Sequence, residues 1–350
     1  MKRLTFLLLF FGVFVAAQDI RGIQLHNPQT NDQTPVISFG QQLILRFDDL
    51  SNRSDIYRYT IKHYDRNWQE DGLFFTEYAT GSMTALLDQF QYSFNTLQPY
   101  THYTLSFPNE KIKPKISGNF EIIVYKDRPE QPLFTRRFCV VEDGVQLGVN
   151  ISRHADARHP ELNQRVEVQA VATQQSLISN ASSISLNVMQ NNNWNLSLNN
   201  MRPTSTLGSR MLFQQLDLAF PGNNEFYYFD NKNIIQGFDM VAGGEIIDNR
   251  NYTYLHPVWA FPLNYQYQPD VNGAFYFRRS DLGIERNADR EADYSWVHFI
   301  LDSEKTAREL YILGGFNQYL PTEESQMHYD EDRKQYIARI YLKQGFYNYI

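Results

Sequence analysis

Apolar and polar residues alternate along most of the chain, and Gly, Pro, Asn or Asp interrupts the alternation about every 8–12 residues. In one run, Tyr57, Tyr59, Ile61 and His63 fall on one face and the residues between them on the other. A period of two is typical of a strand with one buried face. The pattern predicts an all-β protein made of tandem immunoglobulin-like or early-set β-sandwich domains.

A first sandwich is predicted over residues 18–140. Its strands are expected at Gln42–Asp48, Tyr57–His63, Gln91–Phe94, His102–Phe107, Gly118–Tyr125 and Phe134–Val141. The length of this segment is about the size of one immunoglobulin-like sandwich.

A second sandwich is predicted over residues 141–293. Val145, Leu147, Val149 and Ile151 alternate at its start. Later, Asn272-Gly273 precedes Phe275–Phe277 and is a strong hairpin signal. The charged stretch Leu282–Asp293 is expected to be a loop.

A third unit, of the early-set immunoglobulin type, is predicted over residues 294–350. Apolar residues occupy both faces of Tyr294–Leu301, which indicates a central strand. Ser303–Leu310 is expected to form one short helix, because a serine precedes an acidic first turn. The sequence stops within a strand pattern, so we expect this unit to be incomplete at its C-terminus.

The first 17 residues are predicted to be a signal peptide. Lys2 and Arg3 precede the apolar run Leu4–Val15, and the small residues Ala16 and Ala17 follow it. The apolar run is too short to span a bilayer comfortably, so we expect export and no direct insertion into a membrane.

Composition supports a β-rich exported protein that does not bind nucleic acid. Aromatic residues make up 15% of the chain, including 25 Phe and 23 Tyr, and aromatics favour strands. The formal net charge of −7 disfavours binding to a phosphate backbone. Cys139 is the only cysteine, so no intrachain disulfide can form, and we expect it to be buried and inert.

Two clusters of polar residues contain residue types that could form a chemical site. His154, Asp156 and His159 are residue types that bind zinc, but Arg153 and Arg158 lie among them and would repel a cation. A polar interdomain loop is therefore the favoured interpretation.

The second cluster is Asp65, Glu70 and Asp71 around Trp68, which has the residue types of a glycosidase site. Solvated turn residues are commoner, and the sequence lacks the nucleophile-elbow, zinc-helix and phosphate-loop motifs. We expect no enzymatic activity, no cofactor and no metal.

Five aromatic residues are candidates for contact with a partner or for stacking on a ligand. Tyr64 and Trp68 lie in the turn that follows a predicted strand, where the indole either caps the core or offers a flat contact surface. The interpretation that Trp68 caps the core is favoured. Phe316, Tyr319 and Tyr347 lie in two glycine-containing segments that are similar to strand-turn pairs of early-set modules beside carbohydrate-active enzymes.

Several segments, taken in order, resemble the type IX secretion system plug protein family of Bacteroidetes. They are Ile20–Leu25, His63–Trp68, Glu77-Tyr78, Pro99–Pro108, Ser117–Glu121, Phe220–Phe226, Asp270–Phe275 and Tyr294–Phe299. The resemblance covers nearly the whole chain after the predicted signal peptide.

The resemblance implies a periplasmic, non-enzymatic protein that closes the periplasmic opening of the outer-membrane translocon barrel when no cargo is passing. Its expected partner is that barrel, through which it would be associated with the outer membrane. The alternative is an exported glycan-binding module in which Trp68, Tyr319 or Tyr347 stacks on sugar faces. That alternative requires these rings to be exposed.

Overall fold

The structure is a computed structural model that describes residues 20–153, 163–180, 183–222, 226–259 and 270–350. Strands account for 51% of the residues, so the predicted all-β class is confirmed. Within the described ranges the α-helices are short and comprise α1 (Phe75–Tyr78), α2 (Gln175–Ser179) and α3 (Ala288–Glu291). The predicted signal peptide and the His154–His159 cluster lie outside the described residues. The immunoglobulin-like assignment stays a prediction.

Eleven strands form the first unit. They are β1 (Ile20–His26), β2 (Val36–Ser38), β3 (Leu43–Asp49), β4 (Tyr57–Tyr64), β5 (Ala79–Gly81), β6 (Ala85–Leu87), β7 (Phe90–Tyr92), β8 (Thr101–Phe107), β9 (Ile112–Pro114), β10 (Gly118–Tyr125) and β11 (Phe134–Val141). One sheet has the order β1-β3-β8-β7 and the other the order β2-β11-β10-β4-β6, while β5 pairs with β9.

One hydrophobic core joins the two large sheets of the first unit. The rings of Phe47 and Tyr103 stack at 5.0 Å, and Tyr57 meets Tyr103 edge-on at 4.9 Å. These three rings come from β3, β4 and β8, where alternate residues face inward. The period of two seen in the sequence therefore corresponds to this core.

The second unit is smaller. Its strands are β12 (Val145–Arg153), β13 (Asn163–Ala172), β14 (Leu186–Met189), β15 (Ser197–Met201), β16 (Ser205–Leu207), β17 (Arg210–Phe213) and β18 (Ala219–Pro221). The main sheet has the order β12-β13-β17-β16, with β18 also on β13, and β14 pairs with β15. Its core centres on Val168, Met211 and Phe213.

The third unit contains the remaining strands. They are β19 (Tyr227–Asp230), β20 (Val241–Ile247), β21 (Arg250–Leu255), β22 (Val258–Trp259), β23 (Phe275–Phe277), β24 (Ser280–Asp281), β25 (Ile284–Glu285), β26 (Tyr294–Asp302), β27 (Leu310–Tyr311), β28 (Gln326–Asp330), β29 (Gln335–Lys343) and β30 (Gly345–Tyr349). The largest sheet has the order β20-β21-β26-β29-β28-β27, and a second sheet has the order β19-β30-β23. The prediction that 294–301 is a central strand is confirmed, because β26 lies between β21 and β29.

The predicted boundary between residues 293 and 294 is wrong. Strand β19 pairs with β30 and β21 pairs with β26, so residues on both sides of that boundary share sheets and one core. The second unit ends at β18, and the third begins near Phe226.

Two local predictions for 282–310 also differ from the structure. Residues 303–309 form no helix; the hydroxyl of Tyr336 instead accepts a hydrogen bond from the Thr306 amide. The expected loop Leu282–Asp293 contains β25 and α3. The α3 helix starts where the Asn287 side chain accepts a hydrogen bond from the Asp289 amide, an ordinary N-cap.

Cys139 lies half-buried on β11, where its Sγ donates to Asn119 Oδ1 at 3.3 Å. Burial raises the pKa of the thiol to about 11.

Candidate protein-contact site

The turn after β4 projects Trp68 away from the first core. The Asp65 carboxylate accepts hydrogen bonds from the amides of Asn67 and Gln69, each at 2.8 Å. The carbonyl oxygen of Asp65 also accepts from the Trp68 amide at 3.0 Å. Trp68 has a φ of +60°, which is unusual for a bulky residue. The hydrogen bonds of the turn hold it in this conformation.

The Trp68 indole contacts the second unit. Its ring meets that of Trp194 edge-on at 5.0 Å. The Arg137 guanidinium lies 4.5 Å from the centre of the Trp68 ring and 6.0 Å from that of Trp194. The prediction that Trp68 caps the first core is therefore corrected: the ring lies outside that core and joins β11 to the loop before β15.

Tyr64 supports this junction from within the first unit. Its hydroxyl donates to Glu121 Oε2 at 2.9 Å, and its ring lies 6.0 Å from that of Trp68. Burial and the hydrogen bond to Glu121 raise the pKa of Tyr64. Arg137 Nε donates to the other Glu121 oxygen at 3.4 Å, so one carboxylate orients both neighbours.

The predicted residues of the C-terminal segments come together, but below the surface. Tyr347 is 1% exposed and stacks on Phe229 at 5.0 Å, while half-buried Phe316 meets Tyr347 edge-on at 5.7 Å. Tyr319 is 8% exposed and donates to the carbonyl oxygens of Asn191 and Asn272, both at 3.3 Å. Tyr319 and Tyr347 therefore have no free ring face, which contradicts their assignment as sugar-stacking residues.

A recess of about 100 Å³ lies where the three units meet. Its lining includes Gln24 and Arg136 from the first unit, Trp194 from the second and Gln318 from the third. Arg136 donates to the Thr135 carbonyl at 2.8 Å, and within the described residues it makes no ion pair. Burial lowers its pKa to about 10. The recess thus offers a cation and amide groups, and its lining includes no carboxylate.

A buried polar cluster joins the first unit to the third. Asp48 Oδ2 accepts from Lys343 Nζ and from the Tyr294 hydroxyl, both at 2.7 Å, and Asp48 Oδ1 lies 2.6 Å from His102 Nδ1. Asp48, His102, Tyr294 and Lys343 are each at most 3% exposed. We call these four residues the Asp48 cluster.

Charge pairing in the Asp48 cluster outweighs desolvation for the carboxylate. Burial alone would raise the pKa of Asp48, but Lys343 and His102 lower it below its usual value. Burial lowers the pKa of Lys343 despite the opposing charge of Asp48. The Lys343 ammonium also lies 4.3 Å from the centre of the Tyr100 ring. Because Asp48 and His102 come from the first unit and Tyr294 and Lys343 from the third, the cluster fixes the two units against each other.

Further contacts fix the same two units. The Asp293 carboxylate accepts from the amides of Leu97 and Gln98 at 2.5 and 3.0 Å. The Tyr100 hydroxyl donates to the Ala292 carbonyl at 2.8 Å. Local sequence patterns do not predict these pairings, because the partners lie about 200 residues apart.

Sequence reasoning missed an exposed apolar surface on the first unit. Along β7 and the residue pair after it, Phe90, Tyr92 and Phe94 are 42%, 49% and 63% exposed. Met83, just before β6, and Leu86 on β6 are 67% and 47% exposed. We call these five residues the apolar edge. The signal was available, since three aromatics alternate in Phe90–Phe94, but the pattern alone does not say which face is covered.

The acidic residues considered for catalysis have structural partners. Glu70 pairs with Lys62, and Asp71 pairs with His63 while accepting from the Leu73 amide. Asp65 holds its own turn, as described above. Among the described residues, no cluster of three or more His, Cys, Asp or Glu side chains is arranged to hold a metal ion. The described part of the chain also contains no helix long and apolar enough to cross a membrane.

Comparison with known proteins agrees with the predicted resemblance. A crystal structure of a hypothetical protein from Parabacteroides merdae is similar, with a TM-score of 0.87 and 28% identity over 95% of this chain and 84% of that one. No curated protein matches the chain. Residues 20–142 match the family described as type 9 secretion system plug protein, first domain. Residues 20–142 are therefore similar to the first domain of the type IX secretion system plug proteins, which supports the resemblance to that family.

Proposed function

We propose that this protein is a non-enzymatic, periplasmic component of the type IX secretion system that closes the periplasmic opening of the outer-membrane translocon barrel in the absence of cargo. The observation that carries this proposal is the match of residues 20–142 to the first domain of the plug protein family. The proposed partner is the barrel protein, through which the chain is held at the outer membrane.

The contacts between units support a role that depends on a fixed shape. A protein that closes an opening must resist rearrangement when it is pushed from one side. Here the first unit is joined to the second by Trp68 and Trp194, and to the third by the Asp48 cluster and Asp293. Such contacts favour one arrangement of the three units.

The apolar edge is the proposed contact with the barrel. Several large apolar side chains exposed on one unit commonly mark an interaction site, and the rings of Phe90 and Tyr92 are in edge-on contact at 6.0 Å. Aromatic residues are enriched at the centre of interfaces, and tyrosine keeps a polar group for the wet rim. A partly exposed surface of this kind suits a contact that must release when cargo enters the barrel.

The test is recovery of the barrel protein by the tagged full chain from detergent-solubilised envelopes of the source organism. The double variant Tyr92→Ser/Phe94→Ser is expected to recover roughly tenfold less barrel than the wild type, the loss expected for about 1.4 kcal/mol of contact energy. The control Leu207→Ser/Leu282→Ser removes two leucines that are 82% and 98% exposed elsewhere, and it should retain the wild-type level.

Three results would count against the proposal. The first is recovery of no barrel protein by the wild type. The second is that the tagged chain recovers cargo-loaded and cargo-free barrels equally well. The third is retention of the protein on a polysaccharide column, which would favour a glycan-binding module.

A further inference from the structure

Among the described strands, β12 lies at the edge of the main sheet of the second unit. All nine of its residues are exposed, and within the described ranges it pairs with β13 alone. By comparison, the edge strand β7 is partly covered by Arg290, whose carbonyl accepts from the Phe94 amide at 2.8 Å and whose Nε donates to the Tyr92 carbonyl at 3.2 Å. A long, exposed edge strand without proline is a template for pairing with another strand.

One hydrogen bond shows which residues of β12 direct their backbone N–H and C=O groups towards β13. The Thr173 amide donates to the Gly144 carbonyl at 2.9 Å, and the pairing continues in register as Val145 opposite Ala172 through Arg153 opposite Gln164. In an antiparallel pair, hydrogen-bonded positions alternate. The even-numbered residues of β12 therefore bond to β13, and the odd-numbered residues direct their N–H and C=O groups to the free edge.

The same odd-numbered residues carry an apolar stripe. Val145, Leu147, Val149 and Ile151 are 39%, 61%, 60% and 63% exposed. They lie opposite four β13 residues that belong to the core of the second unit, namely Ala172, Ala170, Val168 and Val166. Opposite residues share a face of the sheet, so the stripe continues the core face beyond the elements that cover it.

The strand is complementary to a second copy of itself. With two copies of β12 antiparallel and Gly148 opposite Gly148, Leu147 lies opposite Val149 and Val145 opposite Ile151. In the same register, exposed Asp143 lies opposite Arg153 of the second copy. Every odd-numbered residue then meets an odd-numbered residue, so the free backbone groups pair with one another.

We propose that β12 is a homodimerisation strand, through which two copies of this chain join their second units into one continuous antiparallel sheet centred on Gly148. The twofold axis lies perpendicular to the sheet, so both apolar stripes remain on the same face and pack side by side. The contact is isologous and closes at two copies, because it uses the only β12 edge of each chain. This inference does not depend on the proposed plug function.

The test is the molar mass of the full chain by light scattering after size-exclusion chromatography, over a range of protein concentrations. The wild type is expected to shift from one chain to two as concentration rises. Val149→Lys places a charge in the shared stripe and should abolish the shift. The matched control Asn150→Lys changes the neighbouring residue on the opposite face, beside Glu167, and should dimerise like the wild type.

Charge reversal tests the register. Asp143→Arg alone and Arg153→Asp alone each place like charges opposite each other, and each should raise the dimer dissociation constant by about tenfold or more. The double variant Asp143→Arg/Arg153→Asp restores opposite charges and should recover the wild-type constant. Circular dichroism verifies that every variant remains folded.

A wild type that stays monomeric at every concentration would overturn the proposal. So would a dimer that Val149→Lys leaves intact, or single charge reversals that the double variant does not rescue.

Discussion

Asp48 and Lys343 are oppositely charged, fully buried and separated by 295 residues in the sequence. Burying such a pair is costly, but the removal of one partner is costlier because the other charge is left in a medium of low dielectric constant. The tyrosine and histidine that also contact Asp48 satisfy its remaining hydrogen-bonding capacity. The contact between the first and third units therefore depends on a few specific hydrogen bonds and one ion pair.

We expect Lys343→Met to lower the free energy of unfolding by about 3–5 kcal/mol, since it leaves Asp48 without its cation. Urea unfolding at pH 7 measures this change. The control is Lys305→Met, which removes an exposed ion pair with Glu331 and should change stability very little. Equal losses in the two variants would show that the buried pair does not stabilise the fold.

His26 gives the protein a predictable response to acid. The side chain is 2% exposed, and burial followed by the charge of Arg46 lowers its pKa to about 4, against the opposing effect of Asp289. Between pH 6.5 and 4 the unfolded chain binds a proton at this site that the folded chain does not bind. The contribution of His26 to stability is therefore present above pH 6.5 and is lost as the pH falls towards 4.

In His26→Gln, we expect the free energy of unfolding to fall less between pH 7 and pH 4.5 than it does in the wild type. Urea titrations of both proteins at the two pH values test this expectation, with pH 7 and pH 8 as a reference interval in which the variant should not alter the slope. The same fall in both proteins between pH 7 and 4.5 would contradict the assignment to His26.

At the scale of elements, the turn before β23 requires glycine for two reasons. Gly273 has a φ of +82°, and a Cβ at this position would overlap the hydroxyl of buried Tyr319. Gly40 has a similar φ of +87° but has open space around it. A comparison of alanine substitutions at Gly273 and Gly40 therefore distinguishes the cost of backbone strain, which both share, from the cost of the steric clash, which only Gly273 has.

Gly273→Ala is expected to destabilise the protein by about 1–3 kcal/mol more than Gly40→Ala, the scale of a local clash added to a strained backbone. Thermal unfolding of both variants measures the difference. Adding Tyr319→Phe to Gly273→Ala should recover part of the loss, because it removes the overlapping oxygen atom. Equal destabilisation by the two alanine variants would place the whole effect in the backbone.

The sequence pattern predicted elements better than it predicted their partners. The expected strand at 42–48 matches β3 to within one residue, and the expected strand at 118–125 is β10. Each of these strands has one face in the core, so apolar and polar residues alternate along it. This local alternation is enough to predict the strand. The pairing of β19 with β30 joins residues more than 100 positions apart. Such a pairing has no signal in the local sequence pattern, and the predicted boundary at 293/294 is wrong for this reason.

The same distinction applies to the candidate site. The turn at Asp65–Trp68 follows from its polar residues and was predicted, whereas the contact of Trp68 with Trp194 depends on how two units dock. Burial of Tyr319 likewise depends on Asn191 and Asn272, which come from the second and third units. Residue type alone does not distinguish such rings from rings that bind ligands.

At the scale of the whole molecule, the contact of Trp68 with Trp194 is expected to couple the first and second units. A double-mutant cycle with Trp68→Ala and Trp194→Ala should give a coupling energy of about 0.5–1.5 kcal/mol, the range for an edge-on aromatic pair. Chemical denaturation of the four proteins measures it. A second cycle, of Trp68→Ala with Trp259→Ala in the third unit, should be additive. A coupling of zero in the first cycle would mean that the rings touch without stabilising the docking.

The position of β30 has a consequence for the order in which the chain folds during synthesis. Strand β30 lies between β19 and β23, and Lys343 is the last residue of β29, two residues before β30 begins. The first unit can form its core once residue 140 has emerged, since that core draws on residues up to Val140. The central strand of the β19-β30-β23 sheet and the cation for Asp48 emerge some 200 residues later. During synthesis, the first unit can therefore be folded while its surface for the third unit is still exposed to water, until β30 has been made.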